Sequence, residues 1–453
     1  MGERLESTEL AVVGAGPAGM SAAIAARASG VPVVMLDDQP RPGGQVFRRG
    51  IHPALLPRFA SSLTDIYADP SALKIDYRPL HAVWAFDADA LHVCGPDGNY
   101  RLRARRTIIA TGASEWVLPV PGWTLPGVTT AGGAQALLKT SGVVVGHNVA
   151  IAGTGPLLLQ LASQLLAAGA SIAGIFETAS FRQWTATITR TLLYPPLALQ
   201  GATLLATLVR RGTIMKFGYA PARIQGETQV SGLDVVRLGR HPKTPVHVEA
   251  DAVCLSNGLT PSTELAAMRG CELRHVPQLG HWEVVRDHSM RTTDPDVFAV
   301  GDGATIGGAR YAVLEGAVAG FAAARDLGRA PQGDAAGRER SVQQKVKRLL
   351  AVRVFLRQTF RLRSELIATL PQDTLLCRCE EVRVGAIRHA IRDGVRSLHE
   401  LRILLRVGMG PCQGRYCTMS ALQLLAQETG RTLQELGAGS PRPPIRPITI
   451  GQI

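Results

Sequence analysis

The sequence predicts an α/β protein made of two Rossmann-like nucleotide-binding units and a small helical domain near the C-terminal end. Three observations predict it. A turn Gly14-Ala-Gly16-Pro-Ala-Gly19 follows the apolar run Leu10–Val13, a related turn Gly153-Thr-Gly155-Pro follows Val149–Ala152, and four of the seven cysteines fall in two close pairs. Each turn lies between a short apolar strand and an apolar helix, the setting that gives such a turn meaning. Composition agrees: 453 residues allow two or three domains, apolar residues reach 46%, aromatics only 5%, and there are 48 glycines. Buried parallel strands and tight turns use that mixture.

In the first unit Gly14 permits the tight turn, Gly16 lets the backbone approach a pyrophosphate, and Gly19 lets helix and strand pack closely. Pro17 and Ala18 open the helix, where the N–H that proline lacks has no partner anyway. Free N–H groups and the positive end of the helix dipole then suit a phosphate. A second strand, Val33–Leu36, ends at Asp37 and Asp38, and Asp37 stands eighteen residues after Gly19. A carboxylate there is placed to accept bonds from an adenosine ribose.

Three further segments resemble the two-dinucleotide-domain flavoproteins, the group of glutathione reductase and thioredoxin reductase. Pro42-Gly43-Gly44-Gln45 follows the ribose acid, Thr107–Gly112 carries Ala110, Thr111 and Gly112, and Thr292–Asp302 ends in Gly301 and Asp302. The resemblance implies two Rossmann-like FAD/NAD(P)-binding domains, FAD on the first turn, and Asp302 on the ribityl chain.

The second turn keeps Gly153, Gly155 and Pro156 but puts Leu158 where the third glycine belongs. That leucine should hold helix and strand apart and reshape the phosphate cradle. Glu177 ends the following strand, where an acid suits NAD better than NADP. NAD(P) or another adenine nucleotide is the reading for this site, with a retained fold and an empty site as the alternative; hydride donation by NAD(P)H is disfavoured. No dithiol lies among the flavin segments, since Cys94, Cys254 and Cys271 are isolated. Disulfide reduction is thereby excluded, and these three read as buried structural cysteines.

Cys377-Arg-Cys379 and Cys412-x4-Cys417 are separated by two helix-like stretches, Val384–Arg392 and Leu398–Leu405. Close pairs in a chain without a signal peptide favour metal over disulfides, and four thiolates suit zinc or an iron–sulfur cluster. Spacing leaves both open. The segment resembles the bacterioferritin-associated-ferredoxin type of domain, which implies a [2Fe-2S] cluster on Cys377, Cys379, Cys412 and Cys417.

The formal net charge is +13. Nine Lys/Arg against Asp334 and Glu339 between Pro331 and Arg363 put over half of that excess in one helix-like linker. A basic stripe on an amphipathic helix reads as a protein-docking face rather than a nucleic-acid site. The domains expected are FAD-binding over 1–122 and 281–329, NAD(P)-binding-like over 123–280, a docking helix over 330–370, the cysteine domain over 371–432, and an extended tail over 433–453. The apolar stretch Val143–Phe176 is broken by Gly153, Gly155, Pro156 and Gly169, so no transmembrane segment is expected. A polar N-terminus implies a cytoplasmic chain, with peripheral contact at the inner membrane left open.

Over nearly its whole length the chain resembles the larger electron-transfer subunits of opine oxidases, hydroxyproline dehydrogenases and bacterial hydrogen cyanide synthase, and more distantly the alpha chain of heterotetrameric sarcosine oxidase. Val117–Ala134, the Cys377 and Cys412 segments and the Pro-rich tail carry that resemblance. It implies a hetero-oligomer with a D-amino-acid-oxidase-like flavoprotein subunit that oxidises the substrate, a small ferredoxin-like subunit, and an interfacial flavin such as FMN. Arg/Lys 345–363 and Pro441–Ile453 are expected to contact those partners. No catalytic residue is assigned. No paired carboxylates and no His–Asp arrangement can be placed beside the flavin; Arg48 and His52 after the Gly-Gly-Gln turn are read as surface residues, with a place facing the isoalloxazine as the alternative. The rival readings are a self-sufficient NAD(P)H-dependent FAD reductase and a mainly structural nucleotide-binding subunit.

Overall fold

A computed structural model describes residues 4–48, 70, 73–192, 194–239, 244–361 and 363–449. His52 and the last four tail residues lie outside them. Strand β1 (Arg4–Val13) runs into α1 (Pro17–Ala28) and returns through β2 (Val33–Leu36). Three more strands, β3 (Asp76–Arg78), β4 (Ala82–Phe86) and β5 (Leu91–Gly95), lead to the long β6 (Gly98–Ile109). The sheet order is β3-β2-β1-β6-β5-β4, with Val297–Ala299 added parallel to β6. The apolar halves pair in register, Val13 with Leu36 and Ile109, and Ala299 with Ile109. Gly14, Asp37, Ala110 and Asp302 therefore all emerge at the carboxyl ends of the parallel strands of one mixed sheet, where ligands of such strands bind.

The second unit is an all-parallel sheet of five strands. Helix α2 (Ala131–Ser141) precedes β7 (Asn148–Gly153), which leads through α3 (Pro156–Ala167) into β8 (Ser171–Glu177). Ala252–Ser256 lies on the other side of β7. The helix Glu264–Met268 and Cys271 pack back into the first sheet's core, and Leu273–Val276 pairs with His281–Val284 as a hairpin. The chain thus returns to the first body before position 281. Cys94, Cys254 and Cys271 are all buried.

Two helices close the first body. Helix α4 (Ala309–Asp326) packs on α1 with backbone nearly touching backbone: a Cβ on Gly316 would stand 2.0 Å from the Ala18 carbonyl oxygen, and one on Gly320 2.2 Å from that of Ala22. Helix α5 (Asp334–Thr359) is the basic linker. Its charges divide between two faces, with Lys345, Lys347 and Arg348 exposed while Arg353 and Arg357 turn inward.

The cysteine segment folds as the expected helices Val384–Arg392 and Leu398–Leu405, then Thr418–Thr429. Its core is continuous with that of the second sheet: Leu376, Val384, Ile387, Leu401 and Leu425 share one cluster with Trp116, Val117 and Trp123. Trp116 Nε1 donates to Ser420 Oγ at 3.2 Å, and Trp123 Nε1 to the Leu375 carbonyl at 2.7 Å. Each buried aromatic contributes roughly 1.5–3 kcal/mol, so these two tryptophans fix the cysteine domain firmly. The tail lies on its own chain: Ile445 N–H donates to the Trp84 carbonyl of β4 at 2.9 Å, and Gln413 Nε2 to Pro444 O at 2.6 Å. Among the described residues no helix is long and apolar enough to cross a membrane.

Candidate functional site

The carboxyl edges of the two sheets open into one cavity of about 910 Å³. Gly14, Gly16, Pro17, Ala18, Asp37, Asp38, Gly44, Gln45, Ala110, Thr111, Gly112 and Asp302 all line it. At Gly14 (φ +104°) a Cβ would stand 2.4 Å from the Ala110 carbonyl oxygen, and at Gly19 one would stand 1.8 Å from that of Gly14. These glycines are needed for the turn itself. Gly16 differs, because its Cβ would meet nothing nearer than Gly44 Cα at 3.9 Å. Its smallness leaves room on the cavity side, as the approach of a pyrophosphate requires. No side chain caps α1, so its first N–H groups are available to that phosphate.

Asp37 is buried, accepts the Ala15 N–H, and accepts the Gln39 N–H at 2.7 Å. Burial raises its carboxyl to about 6, against those two N–H bonds. Oxygen lone pairs remain for a ribose on the cavity side. Asp302 Oδ1 accepts the Gly307 and Gly308 N–H groups at 2.8 Å each, which locks its carboxylate at the mouth of α4 while burial raises its pKa. Gly301 lies just before it at φ +65°. The turns, the clamped carboxylates and the cavity fit FAD.

One buried lysine joins the two bodies. Lys139, on α2, donates to the Gln45 and Val46 carbonyls at 3.2 and 3.1 Å and to Gln135 Oε1 at 3.0 Å. Burial, with Arg48 nearby, lowers its pKa to about 8. It ties the Gly-Gly-Gln loop to the second sheet, a contact no sequence spacing announced.

In the second unit, Thr154, Gly155 and Pro156 line the same cavity, but Glu177 is not among the lining residues. It is 3% exposed and accepts Thr154 Oγ1 at 2.6 Å, Gly155 N–H at 3.0 Å and Ala179 N–H at 2.8 Å. Like Asp37, it accepts an N–H of its own turn and that of the residue two positions on, and it takes the Thr154 hydroxyl as well. A Cβ on Gly153 would stand 1.6 Å from the Ser256 carbonyl oxygen, whereas Gly155 has open space around it. Leu158 is buried among Val149, Ile151 and Cys254. The segment after Glu177 is covered from within the chain, because Arg363 Nη2 donates to the Thr178 carbonyl at 3.2 Å and Phe360 meets Trp184 edge-on at 6.1 Å.

The linker helix and the cysteine domain complete the cavity. Leu349, Arg353, Leu356, Arg357 and Phe360 form one wall, and Arg415, Tyr416 and Arg446 another. Part of the expected docking stripe therefore serves the chain's own site. The reason is periodicity, since positions 349, 353, 356, 357 and 360 share one helix face. The hairpin adds His281, with Glu283 behind it. No motif or spacing pointed to this pair, which only the hairpin and α5 bring to the cavity.

The four clustered cysteines converge from two loops. Cys377 contacts Cys417, and Cys379 contacts Cys412. Hydrogen bonding from Cys417, with N–H groups of Gly408, Glu380 and Cys379, pulls the Cys377 thiol down to about 5 against burial. A Cβ on Gly410 would stand 2.3 Å from that of Cys379, so only glycine fits there. Among the described residues no group of three or more His, Cys, Asp or Glu is gathered to hold a metal ion. The thiols meet as pairs.

A family model described as pyridine nucleotide-disulphide oxidoreductase matches residues 8–320, and one described as sarcosine oxidase A3 domain matches residues 373–453. The chain is 35% identical to an opine oxidase subunit from Rhizobium meliloti, over 99% of this chain and 87% of the relative. It is 30% identical to hydrogen cyanide synthase subunit HcnB of Pseudomonas aeruginosa, over 96% of each. Among solved structures, L-proline dehydrogenase from P. horikoshii shares the fold with a TM-score of 0.70 at 20% identity, covering 100% of this chain and 80% of that one. The chain belongs to the pyridine nucleotide-disulphide oxidoreductase family, among the relatives of HcnB and of the opine oxidase subunit, and is a flavin-dependent oxidoreductase.

Proposed function

We propose that this chain is the FAD- and [2Fe-2S]-containing electron-transfer subunit of a multi-subunit dehydrogenase whose substrate is an opine, D-hydroxyproline or a related secondary amine. The amine is oxidised on a D-amino-acid-oxidase-like partner subunit, and this chain carries the electrons onward. One observation carries the reading. Arg415 and Tyr416, inside the Cys412–Cys417 loop, form a wall of the cavity lined by Gly14, Asp37 and Asp302. The loop bearing two of the thiols is thus a boundary of the flavin site.

Gly14–Gly19 would hold the FAD pyrophosphate, Asp37 its adenosine ribose and Asp302 its ribityl chain. Cys377, Cys379, Cys412 and Cys417 would hold the cluster, and their meeting as two pairs suits a centre with two thiolates on each iron. When bound, the flavin supplies two-electron and the cluster one-electron exchange. The chain's own part is to orient both. Lys139 fixes the loop over the glycine turn, and Trp116 and Trp123 anchor the cysteine domain. Substrate selection is assigned to the partner.

The reductase alternative has one observation in its favour, since Thr154, Gly155 and Pro156 open onto the same cavity. Against it, the acid that would take a nicotinamide nucleotide's ribose is held inside the protein. Anaerobic mixing of the isolated chain with NADH or NADPH separates the two. Slow or no flavin bleaching is expected, and rapid bleaching would sink the relay reading.

A further inference from the structure

The positive charge of the chain is concentrated in two segments. Residues 178–226 hold six Lys/Arg and residues 340–364 hold eight, with no Asp or Glu in either. Those fourteen exceed the formal net charge of +13, so the rest of the chain is all but neutral. The two segments meet in the fold. Helix Phe181–Thr191 packs against both helix Pro195–Arg210 and α5, and Thr359 Oγ1 donates to the Gln183 carbonyl at 3.4 Å. Arg353 and Arg357 turn inward, but Arg182, Arg210, Arg211, Lys345, Lys347 and Arg348 are exposed. None of these six has a carboxylate partner among the described residues.

Helix Pro195–Arg210 lays an apolar stripe beside that charge. Leu199, Ala202, Ala206 and Val209 recur at helical spacing and are all exposed, Leu199 by 67% and Val209 by 73%. Leu208 alone of the helix's residues is buried. The threonines between them add little polarity. Thr203 Oγ1 donates to the Gln200 carbonyl at 2.9 Å and Thr207 Oγ1 to that of Thr203 at 2.8 Å, so the helix takes up both hydroxyl hydrogens itself. Phe181, Leu192 and Ile214 in the flanking segments are exposed as well, and on α5 the exposed Leu350 and Val354 follow Lys347 along one face. Exposed apolar side chains gathered in this way mark a binding surface. The helix has 16 residues, too few to cross a bilayer.

We propose that helix Pro195–Arg210 lies flat on an anionic lipid surface, with its apolar stripe at the boundary of headgroups and acyl chains. Arg210 and Arg211 at its end, and the exposed basic residues of α5, meet the lipid phosphates. The chemistry favours lipid over a protein partner. A protein interface carries about one hydrogen bond per 100–200 Å², whereas this stripe has no free hydroxyl hydrogen to give and no acid to offer a cation. A bilayer requires neither. The inner side of the same helix, through Leu197 and Gln200, lines the cavity, so the lipid lies outside one wall of the site.

The test is flotation of the full chain with vesicles of phosphatidylcholine alone and of an equal mixture with phosphatidylglycerol. Wild type should float with the mixed vesicles, far less with the neutral ones, and be released as salt screens the charge. Each basic residue near an anionic surface strengthens binding about fivefold, so Arg210→Gln/Arg211→Gln should weaken it about thirtyfold. Leu199→Ser should weaken it about tenfold. Arg103→Gln/Arg105→Gln, exposed on β6 outside both segments, is the matched control and should bind as wild type does. Thermal melting followed by circular dichroism checks that each variant is folded; should Leu199→Ser melt early, the arginine pair decides alone. No flotation of wild type with the mixed vesicles overturns the proposal and assigns the stripe to a protein partner. Equal binding by the Arg210/Arg211 variant, or equal loss in the Arg103/Arg105 control, overturns it too.

Discussion

Replacing Gly316 by alanine should loosen the flavin site from a position no nucleotide motif includes. Gly316 lies on α4, facing α1, where a Cβ would meet Ala18 O at 2.0 Å, Ala18 C at 2.9 Å and Ala18 Cα at 3.1 Å. All three are backbone atoms, so no side chain can swing away and the helices must separate. Overpacking of this kind costs about 1–3 kcal/mol, and here it moves the residue beside Gly19 that forms the phosphate cradle. Gly337 on α5 is the matched control, because a Cβ there meets nothing within 4 Å. Alanine should stabilise that exposed helix by about 0.5–1 kcal/mol. The same chemical change thus carries opposite signs at two positions. The assay is thermal release of bound flavin followed by fluorescence, together with flavin occupancy after gel filtration. Gly316→Ala should fall by several degrees and lose flavin, and Gly337→Ala should hold or gain. Equal melting and full flavin in Gly316→Ala would refute the close packing of α4 on α1 as a support of the site.

Other outcomes follow from the same geometry. Gly410→Ala, which removes no ligand, should reduce iron and acid-labile sulfide per chain because its Cβ would collide with Cys379; wild-type metal content would contradict this. Arg357→Met should destabilise by about 3 kcal/mol near pH 7, as expected when a buried ion pair loses one partner, measured by denaturant unfolding. Burial alone would raise Glu283, but His281, Arg357 and Thr305 hold it down to about 2. Its contribution to wild-type stability is therefore complete above the ordinary carboxylate pKa and is lost as pH falls toward about 2. The Arg357→Met penalty should accordingly shrink on acidification, and a pH-independent penalty would argue against the pairing. Truncation after Gly439 removes the bonds of Pro444 and Ile445 to Gln413, Arg415 and Trp84. Hydrogen exchange should then speed up in the Cys412–Cys417 loop, and unchanged protection would assign the tail to partners alone.

What could be read from the sequence was local. The turn at 14–19, the strand ending at Asp37, and the helices Val384–Arg392 and Leu398–Leu405 are written in short-range spacing, and the chain folds there as read. Glu177 shows the limit of such reading. Its place at a strand end was legible, but the burial of its carboxylate against Thr154 and Gly155 was not. Glu283, Arg357 and Lys139 were invisible because their partners are distant in sequence; Arg357 and Glu283, 74 residues apart, meet only in the folded chain. The basic linker misled in part. Its charge count suggested one outward face, whereas the helical period turns Arg353 and Arg357 into the cavity and leaves Lys345, Lys347 and Arg348 exposed. The proline-rich tail looked like a partner ligand, yet its backbone bonds go to Trp84 and the cysteine loop.

The decisive experiment on electron relay is substrate reduction of the whole complex. The chain is co-expressed with the proposed amine-oxidising partner, and the visible spectrum is followed anaerobically after adding the amine. Absorbance from both the flavin and the proposed iron–sulfur centre should be bleached by the amine, and Cys412→Ala/Cys417→Ala complexes should turn over far more slowly with an artificial acceptor. Full turnover without those cysteines, or bleaching of the isolated chain by NADH in place of the amine, would contradict the relay.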